Sequence, residues 1–307
     1  MSKKILFMGT PDYATKIFEE ILANENYELI GLFTQPDKKV GRKQILTAPH
    51  IKQFCLDKNL DLPIFQPDKL RNNEEVTTQI KDLNPDFIIV AAYGQILPKE
   101  ILDIAPCINL HASLLPKYRG ASPIQESLLN DDIYTGVTSM MMEEGLDSGD
   151  ILALKYLKIT PTMEVVEAFN KLSQIAAKLT IETLDNFERI SPLKQNDSEV
   201  SFCNKIKKEH GLVNFKSAKK LVLKFKAYSF WPGVFIESGL KLKNITLLEN
   251  ESCNEAGKIL EIKKDSVVIG CEKGSIEIKN LQAPSKKEVN SADYIRGQRL
   301  NVGDILA

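Results

Sequence analysis

The 307-residue sequence has little of what usually marks a metal or redox site: three histidines, five cysteines and one tryptophan. No CxxC pair occurs, and no cysteines and histidines have the spacing of a zinc site. Scattered cysteines of this kind are typical of reduced thiols in a cytoplasmic protein. We therefore expect a cytoplasmic location and no metal. The cysteines are Cys55, Cys107, Cys203, Cys253 and Cys271.

Nucleotide-binding and membrane signals are absent as well. Gly9 follows the first predicted strand, but the sequence contains neither GxGxxG nor GxxxxGK[ST]. A dehydrogenase or a P-loop protein therefore lacks its main support and stays a weaker alternative. No stretch approaches the roughly 18 apolar residues of a membrane helix, and the apolar run before Gly9 is too short for a signal peptide. We expect no membrane partner.

The net charge of −1 hides an asymmetry between the two ends of the chain. Residues 206–307 carry 18 lysines and arginines against 12 acidic residues, a net charge of +6. The first 205 residues carry 22 against 29, a net charge of −7. A basic second part suggests contact with a polyanion, although a lysine-rich solvated surface would give the same count.

Strands and amphipathic helices alternate through the first half of the chain. Strands are predicted at 3–9, 27–34, 62–66, 86–94, 107–113, 136–145 and 150–159, and helices at 14–24, 51–60, 73–84 and 163–187. This alternation predicts an α/β domain over residues 1–189, with a Rossmann-like, mostly parallel sheet. A polar stretch without periodicity predicts a linker over 190–205. A helix at 217–228 and short strands with glycine turns predict a small β-barrel domain, OB-like, over 206–307.

The motif CINLHAS places two polar side chains on one face of an otherwise apolar strand. Asn109 and His111 alternate with Ile108 and Leu110, so they stand about 6.6 Å apart along the strand. Ligands of parallel sheets bind beyond the carboxyl ends of the strands. The pair could therefore hold one reacting group, or His111 could be a core histidine with Asn109 as its hydrogen-bonding neighbour.

The acidic turn EEGLDSGDIL favours the first interpretation. Asp147 lies between Gly145 and Gly149 in what can be a tight turn. If the strand before this turn is the neighbour of the CINLHAS strand, we expect the turn at the same end of the sheet. An aspartate, a histidine and an asparagine together can move a proton and stabilise an oxyanion. No serine or cysteine of these motifs is an obvious nucleophile, which favours direct transfer to an acceptor.

A long loop is predicted over residues 34–52, and it is basic. Lys38, Lys39, Arg42 and Lys43 surround Gly41. Loops of this length in a compact domain are more often functional than not, and lysine and arginine suit phosphate oxygens. The alternative is a flexible basic surface loop without a partner.

Together these motifs resemble a known family. CINLHASLLPKYRGASPIQ, followed by EEGLDSGDIL, is similar to the formyltransferases that use 10-formyltetrahydrofolate. FMGTPDYA, FTQPDKKVGRK, AAYGQILP and FWPG extend the resemblance over the whole chain, to the branch of the family that formylates methionine on initiator tRNA.

The resemblance implies a role for each motif. It implies catalytic roles for Asn109, His111 and Asp147, and a folate contact for the loop formed by Ser113, Leu114, Leu115 and Pro116. It implies that Lys38, Lys39, Arg42 and Lys43 bind tRNA, with support from the C-terminal domain. The formyl donor would be 10-formyltetrahydrofolate, and the acceptor would be the α-amine of initiator methionyl-tRNA. No metal is required, and we expect a monomer that acts in translation initiation.

In that reaction the amine attacks the formyl carbon and the formyl oxygen becomes negative. Asn109 and a protonated His111 would donate hydrogen bonds to this oxygen, while Asp147 would keep His111 charged and relay the amine proton. Other members of the family are alternatives: one that formylates glycinamide ribonucleotide would not need the C-terminal domain, and one that formylates a nucleotide-linked amino sugar or hydrolyses formyltetrahydrofolate would share the three residues. The basic loop and the OB-like domain argue against these alternatives. A non-catalytic RNA-binding protein on the same scaffold is the alternative from another class.

Overall fold

The computed structural model describes residues 2–41 and 43–306, and its first part alternates strands and helices. The strands up to residue 203 are β1 (Lys3–Gly9), β2 (Tyr27–Phe33), β3 (Lys38–Val40), β4 (Ile45–Thr47), β5 (Ile64–Phe65), β6 (Phe87–Ala91), β7 (Cys107–His111), β8 (Arg119–Gly120), β9 (Tyr134–Met141), β10 (Ile151–Lys158) and β11 (Phe202–Cys203). The helices of this part are α1 (Asp12–Leu22), α2 (His50–Asp57), α3 (Glu74–Leu83), α4 (Lys99–Leu102), α5 (Pro123–Leu129) and α6 (Val165–Asn186).

The main sheet has the strand order β10-β9-β7-β6-β1-β2-β5. Its pairs are parallel from β5 to β7, whereas β9 runs antiparallel to β7 and β10 antiparallel to β9. The central strands β6 and β7 are buried at every residue, because helices cover both faces of such a sheet. The predicted Rossmann-like, mostly parallel sheet is therefore confirmed.

The later part of the chain forms a second, antiparallel sheet. Its elements are α7 (Ala218–Tyr228), β12 (Val234–Phe235), β13 (Lys241–Glu249), β14 (Ile259–Ile262), β15 (Val267–Gly270), β16 (Ser275–Gln282), β17 (Val289–Asn290) and α8 (Ser291–Gly297). The strand order is β12-β13-β16-β15-β14, with β17 also paired to β16. Buried apolar residues of β13 and β16 contribute to its core: Leu242, Ile245, Ile276, Ile278 and Leu281. This agrees with the small β domain expected from the sequence.

The chain divides into two compact units by its internal contacts. The first unit holds the residues up to Pro123, then Tyr134–Lys158 and Phe169–Cys203, and the second holds Ile124–Ile133, Ile159–Ala168 and everything from Asn204 onward. Most of the stretch that the sequence suggests as a linker, residues 190–203, thus belongs to the first unit. In the described part of the chain, no helix is long and apolar enough to cross a membrane.

Candidate active site

Asn109 and His111 lie in the second half of β7, on the face that alternate residues share. Both are buried, at 8% and 6% exposure, although each is polar. Parallel pairing aligns Asn109 with Val90 of β6, and antiparallel pairing aligns His111 with Thr138 of β9. Two neighbouring strands therefore fix the backbone on both sides of these side chains.

The active-site turn, residues 143–150, connects β9 to β10 and carries Asp147 in the left-handed region, at φ 48°. Aspartate tolerates this conformation better than most residues. Both glycines of the turn have close neighbours, and at Gly149 the neighbour is a backbone atom that cannot rotate away. A Cβ atom at Gly145 would overlap the Ser148 hydroxyl, and one at Gly149 would overlap the carbonyl oxygen of Met141.

The route by which Asp147 reaches β7 corrects the expectation from sequence. The strand β9 is indeed the neighbour of β7, but it runs antiparallel, so Met141 pairs with Ile108 near the start of β7. The turn therefore begins beside the amino end of β7 rather than at its carboxyl end. Asp147 reaches Asn109 and His111 across the face that their side chains share.

The three side chains meet at the Asp147 carboxylate. Asn109 Nδ2 donates to Asp147 Oδ1 over 3.3 Å, and His111 Nδ1 lies 3.7 Å from Asp147 Oδ2. The backbone N–H of Gly120 also donates to Oδ2, over 2.8 Å. The carboxylate is thus held from two sides and faces a histidine at ion-pair distance.

The tautomer of His111 follows from its second contact. His111 Nε2 lies 2.9 Å from the carbonyl oxygen of Tyr118, which can only accept a hydrogen bond. The Nε2 atom therefore carries a proton, and Nδ1 is the atom that faces Asp147. Protonation of Nδ1 converts this contact into an ion pair, so the site can hold an imidazolium next to a carboxylate.

The Ser113–Pro116 loop follows β7 and is fixed by Thr138. Thr138 Oγ1 donates to the Ser113 carbonyl over 2.6 Å and accepts from Leu115 N over 3.0 Å. Ser113 Oγ closes the loop with a 2.6 Å hydrogen bond to the Lys117 carbonyl. Leu115 is buried against Met140, while Leu114 and Pro116 are only half-buried. The loop is therefore rigid, with part of its apolar surface available.

A segment that the sequence does not mark as functional also contacts the active-site turn. This clasp segment, residues 193–203, returns to the sheet through paired hydrogen bonds between Leu193 and Ile151. The Gln195 amide then donates to the carbonyl oxygens of Asp147 and Gly149, and β11 at the end of the segment pairs with β8. No periodicity or motif distinguishes these residues, which is why they look like a linker in the sequence.

The structure corrects the prediction of a loop over residues 34–52. Strands β3 and β4 pair antiparallel in that region, with Val40 opposite Ile45, and α2 already begins at His50. The basic hairpin, residues 38–47, exposes Lys38, Lys39 and Lys43, together with Leu46 at 65% exposure. Arg42, which the sequence also assigns to tRNA binding, lies outside the described residues.

A polar network anchors the base of the basic hairpin. Lys52 Nζ contacts both carboxylate oxygens of Asp37, at 2.9 and 3.0 Å, and Gln66 Oε1 at 2.7 Å. Gln66 Nε2 in turn donates to Asp37 Oδ1 and to the Gln35 carbonyl. The hydrogen bonds from Gln66 and then from Lys52 hold the pKa of the Asp37 carboxyl below its usual value. The network ties the chain before the hairpin to the helix after it.

The structure gives no support to metal or thiol chemistry at this site. Within residues 2–41 and 43–306, no group of three or more histidines, cysteines and carboxylates is placed to hold a metal ion. Cys107 shares β7 with Asn109 and His111, but burial raises the pKa of its thiol to about 12. The Cys107 thiol is therefore protonated at neutral pH and is a poor nucleophile.

Known proteins share this fold and much of this sequence. The chain matches the family model described as formyl transferase over residues 3–184, and the formyl transferase C-terminal domain over 205–299. It is 57% identical over 301 residues to the methionyl-tRNA formyltransferase of a Nitratiruptor species, covering 98% of this chain and 99% of that protein. It is 51% identical to the methionyl-tRNA formyltransferase of Sulfurimonas denitrificans, covering 99% and 100%.

Solved structures at lower identity show the same fold. One is an N-formyltransferase from Helicobacter canadensis in complex with folinic acid and dTDP-3-aminofucose, with a TM-score of 0.68 and 17% identity over 92% of this chain and 100% of that one. Another is HypX from Aquifex aeolicus in complex with tetrahydrofolic acid, with a TM-score of 0.62 and 18% identity over 100% of this chain and 49% of that one.

Proposed function

Because this chain belongs to the methionyl-tRNA formyltransferase family, we propose that it formylates the α-amine of methionine on initiator methionyl-tRNA. The product is formylmethionyl-tRNA for translation initiation. The observation that supports the reaction chemistry is the meeting of Asn109 and His111 at the Asp147 carboxylate. The fold is shared with an N-formyltransferase in complex with folinic acid and with HypX in complex with tetrahydrofolic acid.

The residues around the site suit the formyl donor, 10-formyltetrahydrofolate, which supplies the formyl carbon. Three buried polar atoms beyond the ends of β2 and β6 have no hydrogen-bond partner within the described part of the chain: Thr34 Oγ1, Gln35 Nε2 and the Tyr93 hydroxyl. Buried polar atoms are normally paired, so this edge fits a ligand with its own donors and acceptors, as a pterin ring has. The half-buried Leu114 and Pro116 offer apolar surface for the rest of the folate.

The proposed roles of the three catalytic side chains follow from their contacts. Attack of the neutral amine on the formyl carbon puts negative charge on the formyl oxygen. The Asn109 amide and the Nδ1–H of a protonated His111, whose Nε2–H is already used by the Tyr118 carbonyl, donate hydrogen bonds to that oxygen. Donors of this kind are worth roughly 10²–10³-fold in rate. Asp147, 3.7 Å from His111 Nδ1, stabilises the imidazolium.

Proton movement completes the transfer. The amine must lose a proton as its bond to the formyl carbon forms, and the departing nitrogen of the folate must gain one as its bond to that carbon breaks. The Asp147 carboxylate can take up the amine proton and release it to the departing nitrogen, directly or through one water. No covalent enzyme intermediate is needed, in agreement with the raised pKa of Cys107.

We assign binding of the tRNA acceptor end to the basic hairpin, and binding of the rest of the tRNA to the basic C-terminal region of the protein. Lys38, Lys39 and Lys43 are exposed and form no ion pair within the described residues. Val40, Ile45 and Leu46 on the same hairpin are exposed as well, and such side chains can pack against nucleotides. The net charge of +6 over residues 206–307 supports the second contact.

The function is tested by incubating the protein with 10-formyltetrahydrofolate and charged initiator tRNA, and then releasing the amino acid for analysis. We expect formylmethionine. Glycinamide ribonucleotide and a dTDP-linked amino sugar are offered in parallel as acceptors. Formylation of either of these, with none of charged tRNA, would replace the proposed acceptor. Release of formate without any acceptor would indicate a hydrolase.

A further inference from the structure

The strongest unassigned feature near the site is the side chain of Gln195 in the clasp segment. Its Nε2 donates to the Asp147 carbonyl over 2.9 Å and to the Gly149 carbonyl over 2.8 Å, and its Oε1 accepts from Arg119 Nε over 3.0 Å. A single amide thus makes three hydrogen bonds, two of them to the backbone of the active-site turn. Neither its spacing nor its neighbours in the sequence mark Gln195 for a role.

The orientation of the Gln195 amide is determined by its partners. Arg119 Nε can only donate and the two carbonyl oxygens can only accept, so a flipped amide would lose all three hydrogen bonds. Arg119 is 7% exposed and is itself fixed by β8, where its backbone N–H donates to the Ser201 carbonyl over 2.9 Å. The clasp segment therefore supplies both the amide and the strand that holds its partner.

The short strand β8 connects this arrangement to both catalytic groups. Tyr118, just before Arg119, accepts the hydrogen bond from His111 Nε2, and Gly120, just after it, donates to the Asp147 carboxylate. A Cβ atom at Gly120 would overlap the Cys203 carbonyl, so β8 and β11 lie as close as their backbones permit. Displacement of β8 would move the partners of His111 and Asp147 together.

Asp147 needs this support because its backbone is in a conformation that few residues adopt. At φ 48° the direction of its side chain depends on how its own carbonyl and that of Gly149 are held. Without the Gln195 amide, the Asp147 and Gly149 carbonyls lose the hydrogen bonds from Nε2. The backbone of the turn can then rotate, and the Asp147 carboxylate can move away from His111 Nδ1.

We propose that Gln195, oriented by Arg119, is a positioning residue that sets the Asp147 carboxylate against His111. This inference rests on the proposed function, because it assigns Asp147 and His111 to the formyl transfer. Gln195 contacts no substrate in this proposal. It acts through the backbone of the active-site turn, and its loss lowers turnover without weakening the binding of folate or tRNA.

Two substitutions separate its hydrogen bonds. Gln195→Glu keeps an acceptor for Arg119 but places a carboxylate oxygen, which cannot donate, against the two carbonyls. Gln195→Met removes all three hydrogen bonds at similar volume. We expect both to lower kcat by roughly 10–100-fold, the scale of a small misplacement of catalytic groups, with KM for charged tRNA unchanged. Gln53→Glu, on the exposed side of α2, is the matched control and should behave as wild type. Near wild-type kcat for Gln195→Glu would overturn the proposal.

A double-mutant cycle tests whether the effect passes through Asp147. In an Asp147→Asn background, Gln195→Glu should lower kcat further by no more than about 3-fold, because the carboxylate it positions is already gone. Equal losses in both backgrounds would mean that Gln195 supports the fold generally, and would overturn the proposal.

A measurement without turnover keeps the inference apart from the proposed function. Hydrogen exchange of the active-site turn should become faster in Gln195→Glu and Gln195→Met, while exchange in α6 stays as in wild type. Unchanged exchange in the turn would overturn the positioning role even if the wild type formylates charged tRNA. Faster exchange in a protein that does not formylate charged tRNA would support the contact and reject the function.

Discussion

Two turns of the first unit join antiparallel strands and differ in almost every other respect. The turn of the basic hairpin is held by its own residues, since Gln44 bonds to the Gly41 carbonyl through both its backbone and its side chain. The active-site turn is held from outside, by Asn109, Gly120 and Gln195. Among the described residues, Gly41 has open space around it, whereas Gly145 and Gly149 are crowded.

The difference matches the two tasks that we assign to these turns. Catalytic side chains must be held within about 0.5 Å of the productive arrangement, so we expect the turn that carries Asp147 to be fixed by its neighbours. A nucleic acid is bound mainly through charge, which falls off slowly with distance and tolerates small movements. Changes in the active-site turn should therefore act on kcat. Changes in the turn of the basic hairpin should act on KM for charged tRNA and on the salt dependence of tRNA binding.

The largest effect is expected from the three side chains to which we assign catalysis. His111→Ala, Asn109→Ala and Asp147→Asn should each lower kcat by roughly 10²-fold or more, because each loses an oxyanion donor or the group that supports one. Folate binding, measured by equilibrium titration, should be retained. His50→Ala, whose ring contacts Thr15 instead, is the control. Near wild-type turnover of any of the three variants would mean that the replaced residue is not catalytic.

A pair of glycine substitutions compares the two turns directly. Gly149→Ala would push a methyl group into the Met141 carbonyl and displace Asp147, so we expect kcat to fall by about 10-fold or more. A Cβ atom at Gly41 would meet no atom of the described residues within 4 Å. Gly41→Ala should therefore destabilise the fold only through its backbone conformation, φ 71°, by about 1 kcal/mol. Its kcat should be that of wild type. Similar kcat values for the two variants would remove the distinction between the turns.

A smaller effect is expected from the charges of the basic hairpin. Replacing Lys38, Lys39 and Lys43 by alanine should raise KM for charged tRNA several-fold and leave kcat in place. The dependence of log Kd on log salt should become shallower by up to about 0.9 for each phosphate that the variant no longer neutralises. Lys178→Ala, on an exposed position of α6, is the control.

Arg42→Ala should act in the same direction as the lysine changes, since a guanidinium binds phosphate well. We expect it to impair formylation of charged tRNA and to leave tetrahydrofolate binding unchanged. Normal formylation by both the Arg42 variant and the lysine variant would mean that the basic hairpin does not bind tRNA.

The smallest effect concerns the base of the basic hairpin and depends on pH. Because the pKa of Asp37 is lowered in the folded protein, its contribution to stability is complete above the ordinary carboxyl pKa and is lost as pH falls through the lowered value. Asp37→Asn should therefore lower Tm slightly at neutral pH. The difference from wild type should shrink below about pH 4. A difference that persists in acid would mean that the hydrogen bonds of the charged carboxylate to Gln66 and Lys52 are not its source.

The sequence predicted the placement of Asn109 and His111 because a buried strand has only two faces, and polar residues on one of them stand out. It predicted Asp147 because two nearby glycines indicate a tight turn. The resemblance to a family then supplied the chemistry. The antiparallel direction of β9 was missed, since alternation along a strand does not reveal the direction of its neighbour.

Other features could not be found from local pattern. The strands β3 and β4 have three residues each, too few for a period to be seen. Gln195 acts through its amide on backbone carbonyls about fifty positions earlier in the chain, and any residue type can offer a carbonyl. Gly120 is the only sign in the sequence that β8 pairs with β11. The need for glycine at this position follows from the Cys203 backbone beside it, which the sequence does not reveal.

The pairing of β8 with β11 also bears on where this protein can be cut or fused. The match to the first formyl transferase model ends at residue 184, and the match to the second begins at 205, so Gln195 and Cys203 fall in the interval between two modules. A fragment trimmed to the first match would keep the strand that carries Asn109 and His111 and the turn that carries Asp147, yet lose the Gln195 amide that contacts this turn. Recombination between relatives, or the design of a minimal transferase, should therefore place its junction after Cys203.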